Sequence, residues 1–555
     1  MVDSVNFNLD DNKPFIMRES DNEIPAKDGL PKEAMASNVT VTVYGYIYFL
    51  DSDNNWHPFV NSRVEIWDDD VAFDDYLGST TTNANGYFSK SVSGGDGLFD
   101  DEIEVYLQLK AQNSKVKVYE PISAEPYRWL TNYIETDGGN VNFGNVGINV
   151  GGYGACSIFH WMNESWNFTA TNGYDPGEIV SLWPNSDGTY YSLGGAIYIE
   201  SSYWHWDAED VTRHEYGHNL MYYAQSKWWP SHTGGTHSFY DVLHKNFAWT
   251  EGWATAFAQF VDTDGTYNSG SWSFPIENQS GLGLPEGYTN EARVASSLSD
   301  LYDFNVDGDD YVGISYDDII STIRDHNNDD LIEFWNNLKN DLSQSDKHYG
   351  SRALIYNTID VPLELYATIS GLSYLGYKEN GTFTANVSGG SGSISYQWYK
   401  KYEGSSTWQA LGTFQSQVIK MVTTSFTVKV VVTRGSEIVE ATAYCSYLIN
   451  EEKVCLPDFY YLSQNSPNPF NLSTKICYFI PEASNINIMI YDLSGILVRE
   501  WIIENEQPGY KSVFWDGRNA NGQLVSTGLY ICQLIARGFT NNEYHNLSRK
   551  MILVK

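Results

Sequence analysis

Two histidines and a glutamate stand at a spacing that suits metal-dependent hydrolysis. The pattern is H-E-x-x-H, formed by His214, Glu215 and His218. On a helix, residues four apart lie on the same face, so both imidazoles can bind one zinc ion. Glu215 lies beside them, where its carboxylate can take a proton from water whose pKa the metal has lowered. The alternative is a pair of ordinary surface histidines on a helix.

A third ligand is predicted from a carboxylate that interrupts an apolar helix. Glu251 lies within the segment NFAWTEGWATAFAQF, 33 residues after His218. A lone glutamate in such a helix is costly unless it is paired or metal-bound. The gap leaves room for the first helix to end and a second to pack back against it. A glutamate that forms a salt bridge inside a core helix is the alternative.

These segments resemble a known class of enzymes. H-E-Y-G-H, E-G-W-A and the later helix Glu291–Tyr302 are similar to the gluzincin metallopeptidases, the class of thermolysin and the fungalysins. The resemblance implies that His214, His218 and Glu251 bind one catalytic zinc and that Glu215 is the general base. It implies a secreted zinc-dependent peptidase acting on proteins or peptides. Because the aminopeptidase signature G-x-M-E-N is absent, we expect an endopeptidase.

The sequence departs from this class at Thr255, four residues after Glu251. Thermolysin-like enzymes often carry an aspartate there, which orients a zinc-binding histidine. Because such outer contacts fix the ring of a ligand, we expect another carboxylate to supply them.

A hydrogen-bond donor should face the metal where charge develops in the transition state. Tyr288, just before the helix that starts at Glu291, is the predicted donor. His237 and Tyr349 are the other candidates, and an ordinary packing role for Tyr288 is the alternative.

The segment Gly194–Glu200 precedes the metal-binding helix and has the pattern of a strand. It is either an edge strand that pairs with an extended substrate or a core strand.

The helix that carries the motif has a plausible start. Asp207 can cap it and Asp210, three residues later, can return a hydrogen bond, as in a capping box. Val211, Leu220 and Met221 supply apolar contacts on the helix.

An acidic loop after the predicted helix Glu291–Tyr302 contains D-x-N-x-D-G, the first half of an EF-hand-type loop. Its candidate calcium ligands are Asp303, Asn305, Asp307 and Asp309. Position 12 of the loop is Ile314 rather than glutamate, so a structural calcium site and a solvated acidic turn both remain open.

The rest of the chain predicts a multidomain protein. An α+β zincin-type metallopeptidase domain at 123–361 is flanked by β-sandwich domains, and residues 1–37 form a tail. Residues 38–122 alternate apolar and polar positions around Asn85-Gly86, which predicts a small antiparallel sandwich. This segment resembles transthyretin-like or carboxypeptidase-regulatory-like domains.

Two further sandwiches are predicted after the zinc domain. Residues 362–450 resemble an immunoglobulin-like domain with Trp398 on a middle strand. Residues 456–555 contain NPFN at 468–471, WDG at 515–517 and STGLY at 526–530, and resemble the C-terminal sorting domains of type IX secretion. The resemblance implies that secretion machinery recognises this segment. A terminal sandwich with no address function is the alternative.

The net charge and the hydropathy of the chain limit the kinds of partner and the cellular location that we expect for the protein. The chain has 33 Lys and Arg against 70 Asp and Glu, a net charge of -37, which disfavours nucleic-acid binding. No stretch long and apolar enough for a membrane span is present. Residues 1–37 lack the apolar core of a signal peptide, although we expect a bacterial protein that is secreted or on the cell surface.

A second function class competes with the enzyme. The chain could be a surface adhesin or binding protein with a catalytically inactive zincin-like domain. The intact Glu215 separates the two, because an inactive descendant needs no base beside the metal.

Overall fold

The computed structural model is rich in β-sheets and contains seven helices in its described residues. The chain divides into two compact units, the first made of Met1–Thr368, Asn386–Ser395 and Val432–Glu440 and the second of the remaining residues. The described residues are 39–69, 74–94, 103–149, 152, 154–202, 206–277, 279–303, 312–376, 378–420, 422–447, 460–471, 473–520, 522–539 and 544–554. No helix in this part is long and apolar enough to cross a membrane.

The first unit opens with ten strands. They are β1 Val39–Leu50, β2 Trp56–Pro58, β3 Arg63–Asp68, β4 Asp75–Thr81, β5 Tyr87–Gly94, β6 Ile103–Lys110, β7 Val116–Tyr119, β8 Arg128–Leu130, β9 Ile134–Thr136 and β10 Gly139–Ile148. One sheet has the order β10-β1-β2 with β5 also on β1, and another the order β4-β3-β6-β8 with β9 also on β6. β10 runs parallel to β1, so the first sheet is mixed rather than purely antiparallel, and it reaches beyond residue 122.

The Asn85-Gly86 turn joins the two sheets instead of closing a hairpin. β4 before it pairs with β3, whereas β5 after it pairs with β1. Gly86 has a φ of 74°, and a Cβ on it would lie 2.4 Å from the carbonyl oxygen of Ile47. Glycine is therefore required where the crossing chain passes close to β1.

Seven helices and five further strands complete the part of this unit that precedes residue 360. The helices are α1 Gly154–Thr171, α2 Glu209–Ala224, α3 Lys245–Asp262, α4 Glu291–Tyr302, α5 Tyr316–Asp325, α6 Leu331–Leu338 and α7 Gln344–Tyr356. The strands are β11 Ile179–Asn185, β12 Tyr190–Tyr191, β13 Ile197–Glu200, β14 Thr266–Asn268 and β15 Ser273–Pro275. One hydrophobic cluster includes residues from Val41 in β1 to Val361, so the sheets and the helices share a core.

The strand predicted at Gly194–Glu200 is not at a sheet edge. The sheet has the order β12-β13-β11-β7, so β13 lies between two other strands. A tight turn, in which Ser192 N–H donates to Ala196 O, brings Tyr190–Tyr191 back as the outer strand. The core-strand alternative is therefore the one observed.

The predicted cap of α2 is also wrong. The N-cap residue is Ala208, and its side chain makes no capping hydrogen bond. Asp207 instead accepts hydrogen bonds from the backbone N–H and the hydroxyl of Ser52. Its carboxylate therefore ties the loop after β1 to the start of the helix.

The remaining strands lie beyond the helical part. They are β16 Tyr366–Ser370, β17 Tyr374–Leu375, β18 Gly381–Ser388, β19 Ile394–Tyr402, β20 Gln409–Ala410, β21 Ser416–Ile419, β22 Phe426–Arg434, β23 Glu437–Tyr447, β24 Tyr461–Leu462, β25 Thr474–Ile480, β26 Ser484–Tyr491, β27 Leu497–Glu506, β28 Gly509–Trp515, β29 Gly528–Gly538 and β30 Tyr544–Leu553. Within the second unit, β18 pairs with β21 and Trp398 of β19 is fully buried. The last seven strands form the sheets β24-β25-β28 and β27-β26-β29-β30 around a hydrophobic cluster of their own.

Candidate metal centre

Helices α2 and α3 bring the three predicted metal ligands together. Nε2 of His214 and Nε2 of His218 each lie 3.2 Å from Oε2 of Glu251. One ligand atom of each residue lies within 4.8 Å of the others. A donor set of two imidazole nitrogens and one carboxylate oxygen is typical of catalytic zinc, so the residues fit the ion.

Small residues allow the helices to approach this closely. A Cβ on Gly217 of α2 would lie 2.9 Å from Cα of Ala254 in α3, and one on Gly252 would lie 2.5 Å from the side chain of Val294 in α4. Trp253 Nε1 also donates to the carbonyl oxygen of Gly217, 2.9 Å away. The close α2–α3–α4 packing places the side chains of adjacent turns within reach of one metal ion.

Electrostatics at Glu251 favour its charged form. Burial alone would raise the pKa of this carboxyl, but His218 and His214 outweigh burial and hold the pKa well below its usual range. The carboxylate is therefore anionic in a site that is almost closed to solvent, where attraction for a cation is strong.

Glu215 lies in the same site with one oxygen unused. Its side chain is buried, and Oε2 has no hydrogen-bond partner among the described residues. The backbone N–H of Tyr191, on the outer strand β12, donates to the carboxylate. Burial raises the pKa of Glu215 to about 7, with Glu251 adding to the effect and His214 opposing it. Such a carboxyl can both take and return a proton near neutral pH.

Thr255 connects His214 to a third acidic residue of the site, Glu291. Its Oγ1 lies 3.1 Å from Nδ1 of His214 and donates to Oε1 of the buried Glu291, 2.8 Å away. Since the threonine hydroxyl uses its proton on Glu291, it can only accept from Nδ1–H of His214. This arrangement leaves Nε2 of His214 for a metal. We expected another carboxylate to orient a histidine in place of the aspartate that is missing at position 255. Glu291 is that carboxylate, and it acts on His214 through Thr255.

Of the three candidate donors, His237 is the one beside the ligands. Its Nε2 lies 3.0 Å from Oε2 of Glu291 and 3.6 Å from Oε2 of Glu251, and its Nδ1 lies 3.0 Å from Gly235 O. Burial alone would lower the pKa of His237, but Glu291 and Glu251 outweigh burial and raise the pKa to about 9. Its side chain keeps 22% of its exposure, so it lies at the mouth of the site.

The other two candidates make their described contacts elsewhere. Tyr288 packs against the hydrophobic core and lies near Lys245, at the first turn of α3. The ring of Tyr349 packs against His348 and Tyr366. No described contact joins either tyrosine to the three ligands.

Tyr267 is a neighbour of the site that sequence reasoning missed. It lies on β14, and its ring stands edge-on to His214 at a centroid distance of 6.1 Å. Burial raises the pKa of its phenol well above the usual value, with Asp210 and Glu291 adding to the effect. With 41 tyrosines in the chain and a strand of three residues, no pattern marked this one.

The second histidine ligand lacks the support that the first one has. Nδ1 of His218 has no hydrogen-bond partner among the described residues. Its ring stands edge-on to Trp229, whose Nε1 donates to Nε2 of His232, 3.1 Å away. Among the described residues, it is the packing of Trp229 that orients the His218 ring.

The predicted calcium ligands Asn305, Asp307 and Asp309 lie outside the described residues. Asp303, the first of the four, is the C-cap residue after α4, and its backbone N–H donates to Ser299 O.

Residues 162–358 match the family model described as the mycolysin C-terminal domain. The matched range contains His214, Glu215, His218, Glu251 and Glu291, and runs from within α1 to just after α7. This match points to a metallopeptidase family related to thermolysin. A search of curated proteins found no match to the chain.

Proposed function

We propose that this chain is a zinc-dependent peptidase that cleaves peptide bonds with Glu215 as the general base. The observation that carries the proposal is the convergence of His214, His218 and Glu251, with an unpartnered oxygen of Glu215 in the same site. The match to the mycolysin C-terminal domain supports protein or peptide substrates.

The ligand set and its surroundings fit zinc. Zinc held by His214, His218 and Glu251 supplies Lewis acidity, which lowers the pKa of a water molecule and polarises a carbonyl group. Glu215 takes the proton from the attacking water at its carboxylate and then delivers it to the leaving amine. The Tyr191 N–H holds that carboxylate in place during both transfers.

We further propose His237, rather than Tyr288, as the donor that stabilises the developing negative charge. The two carboxylates beside it keep it protonated, and it lies at the mouth of the site. The hydrogen bond from its Nδ1–H to Gly235 O holds the ring, and Nε2–H, which lies 3.0 Å from Glu291, is the donor that turns to the developing oxyanion. His237→Gln should lower kcat at least tenfold with zinc content unchanged. Tyr288→Phe should leave kcat nearly intact, and the reverse pattern would return the role to Tyr288.

Export is part of the proposal, because residues 456–555 resemble a sorting domain. A peptidase released to the cell surface or medium suits an acidic chain with protein substrates. The adhesin alternative has no use for the buried, unpaired oxygen of Glu215, which an inactive domain would be free to lose.

The decisive test separates metal binding from proton transfer. We expect Glu215→Gln to retain one zinc per chain but to lose casein hydrolysis by a factor of about 1,000 or more, because an amide cannot accept the proton. His214→Ala should lose both zinc and hydrolysis, and a chelator should abolish the activity of the unmodified protein. His326→Ala, a change at an exposed histidine after α5, is the control and should lose neither.

Two outcomes would reject the proposal. Full hydrolysis by Glu215→Gln would exclude this carboxylate as the base. Stoichiometric zinc in His214→Ala would exclude the ligand set.

A further inference from the structure

A cavity of about 80 Å³ lies at the C-terminal ends of α3 and α4, away from the zinc ligands. The polar residues that line it are Gln259, Thr263, Asp264, Glu277, Ser299 and Asp303. Its volume is several times the roughly 10–15 Å³ that one water needs, so it can hold an ion with waters around it.

Two of the oxygen atoms in the lining are buried and have no hydrogen-bond partner among the described residues. They are Oε1 of Gln259 and Oγ of Ser299, and each residue is only 3% exposed. The amide nitrogen of Gln259 donates to Thr266 O, 3.3 Å away, so the oxygen is the end left over. Buried oxygens without a partner are costly, so a ligand bound in this cavity would stabilise them.

The electrostatic surroundings of the cavity favour a positive charge. Gln259 and Thr263 belong to the end of α3, and Ser299 and Asp303 to the end of α4, so two negative helix ends meet there. Neither helix has a basic residue in its last turn. No lysine or arginine is among the described residues that line the cavity.

The hairpin that follows α3 is shaped to bring a carboxylate to this cavity. Gly265 has a φ of 75°, and a Cβ on it would lie 2.5 Å from Cγ of Glu277. Its carbonyl oxygen accepts hydrogen bonds from the N–H groups of Ile276 and Glu277. Asp264, the residue before Gly265, accepts a 2.8 Å hydrogen bond from Thr266 N–H. The glycine lets the Glu277 side chain cross the turn.

The geometry points to a structural divalent-cation site of the calcium type in this cavity. An amide oxygen, a hydroxyl and carboxylates are the hard oxygen ligands that calcium prefers, and water can complete the shell. Gln259, Ser299 and the carboxylates of Asp264, Glu277 and Asp303 are the candidate ligands. The ion would join the C-terminal ends of α3 and α4. Helix α3 carries Glu251, and helix α4 carries Glu291 at its start.

This site differs from the sequence-predicted loop, whose remaining oxygen ligands are Asn305, Asp307 and Asp309. Only Asp303 is common to both. Calcium titration of variants in each set therefore separates the two.

The test uses the full-length, zinc-loaded protein and calcium chloride as the probe. We expect calorimetry to detect calcium binding, and thermal unfolding to shift upward by a few degrees at saturating calcium. Glu277→Gln and Ser299→Ala should each weaken calcium binding tenfold or more. Glu178→Gln, at a half-exposed residue paired with Lys117, is the matched control and should leave affinity unchanged.

Each outcome decides the proposal. Absence of calcium binding would overturn it. So would binding that Asp307→Asn abolishes but Glu277→Gln and Ser299→Ala leave intact, since the ion would then lie in the acidic loop. Ser299→Ala removes only a hydroxyl, so it remains informative if Glu277→Gln fails to fold.

Discussion

Helices α2 and α3 carry two clusters of metal-binding residue types, and only one of them suits a metal. The metal triad is His214, His218 and Glu251. The acidic cluster is Glu209, Asp210 and Asp262, whose carboxylate oxygens also lie within 4.8 Å of one another. By distance alone the two are equivalent.

The difference is a side chain that already supplies the cation. Arg213, only 4% exposed, lies in the acidic cluster and contacts Asp262 at 3.0 Å, Asp210 at 3.2 Å and Glu209 at 3.4 Å. It also contacts Glu164 at 2.9 Å. The metal triad has imidazoles instead and no guanidinium in contact among the described residues. Spacing identifies candidate ligands, and the local charge decides whether an ion is needed.

The acidic cluster and the metal triad also differ in the protonation of their carboxyl groups. Burial raises the pKa of Asp210 to about 7 and that of Glu209 to about 8, although Arg213 opposes both changes. Burial alone would lower the pKa of Arg213, but the carboxylates around it outweigh burial and raise that pKa. Short contacts pair Arg213 with these carboxyls, but one guanidinium does not neutralise all of them. The acidic cluster therefore keeps protons near neutral pH, whereas Glu251 is held ionised.

The largest effect on stability is expected from removing Arg213, the cation of the acidic cluster. Arg213→Met should destabilise the protein by about 3–5 kcal/mol, because it leaves buried carboxylates without their cation. Added calcium or a lower pH should recover part of the loss, by supplying a charge or protons. Urea unfolding measures it, with Arg324→Met, at a half-exposed residue paired with Asp325, as the control.

If Arg213→Met were as stable as Arg324→Met, the guanidinium would not be the balancing charge. The contrast between the two clusters would then lose its physical basis.

The second prediction tests the metal triad through Thr255, which contacts His214 but is not itself a candidate ligand. Thr255→Val removes the hydroxyl between His214 and Glu291, and we expect zinc affinity to fall about 10–100-fold. Competition with a chromogenic chelator measures the affinity. Thr322→Val, a buried helical threonine whose Oγ1 donates to Asp318 O, is the control. Equal affinities in the two variants would show that the Thr255 contact does not orient the ligand.

The sequence predicted the candidate ligands because their residue types conflict with their surroundings. Glu251 stood out as a carboxylate in an apolar helix, and the structure places it against both histidines. The missing carboxylate after Glu251 predicted that another one was needed, but not that Glu291 would act through Thr255. That link joins residues 36 positions apart on different helices, and no local pattern encodes such a contact.

The errors in the fold have similar causes. Asp207 has the residue type of a helix cap, but its partner Ser52 lies 155 positions earlier. The β1–β10 pairing is parallel and joins segments about 100 positions apart, so strand alternation within either segment carries no sign of it. Helix α4 was predictable with its bounds, because its start at Asn290–Glu291 and its apolar face are local signals.

A smaller, pH-dependent effect is expected next to Arg213. His160 contacts the ring of Trp161, over which Arg213 lies. Burial lowers the pKa of His160 to about 4, with His57 and Arg213 adding to the effect and Glu164 opposing it. The unfolded chain takes up this proton as pH falls through about 6.5, but the folded chain does so only near 4. His160 therefore reduces stability as pH falls through that window.

His160→Phe should remove this dependence. Between pH 7 and pH 5 we expect the unmodified protein to lose about 1–2 kcal/mol more than the variant, the lower part of the range reflecting the partial exposure of the side chain. Thermal unfolding at the two pH values measures it. Parallel losses in both proteins would assign the pH dependence to Glu209 and Asp210 or to other groups.

The smallest effect is expected from a change that leaves both clusters intact. Residues 460–553 include a hydrophobic cluster with no member from the helical part, and the sheets of this segment are complete within it. Elements with their own core couple weakly to the rest of a chain. Truncation at about residue 455 should therefore leave zinc content and specific activity nearly unchanged. The same truncation in the native host should prevent release of the protein, if the segment is an export address. Lost hydrolysis with intact zinc and helical signal would show that this segment contributes to substrate binding, and the zinc ligands alone would no longer explain the activity.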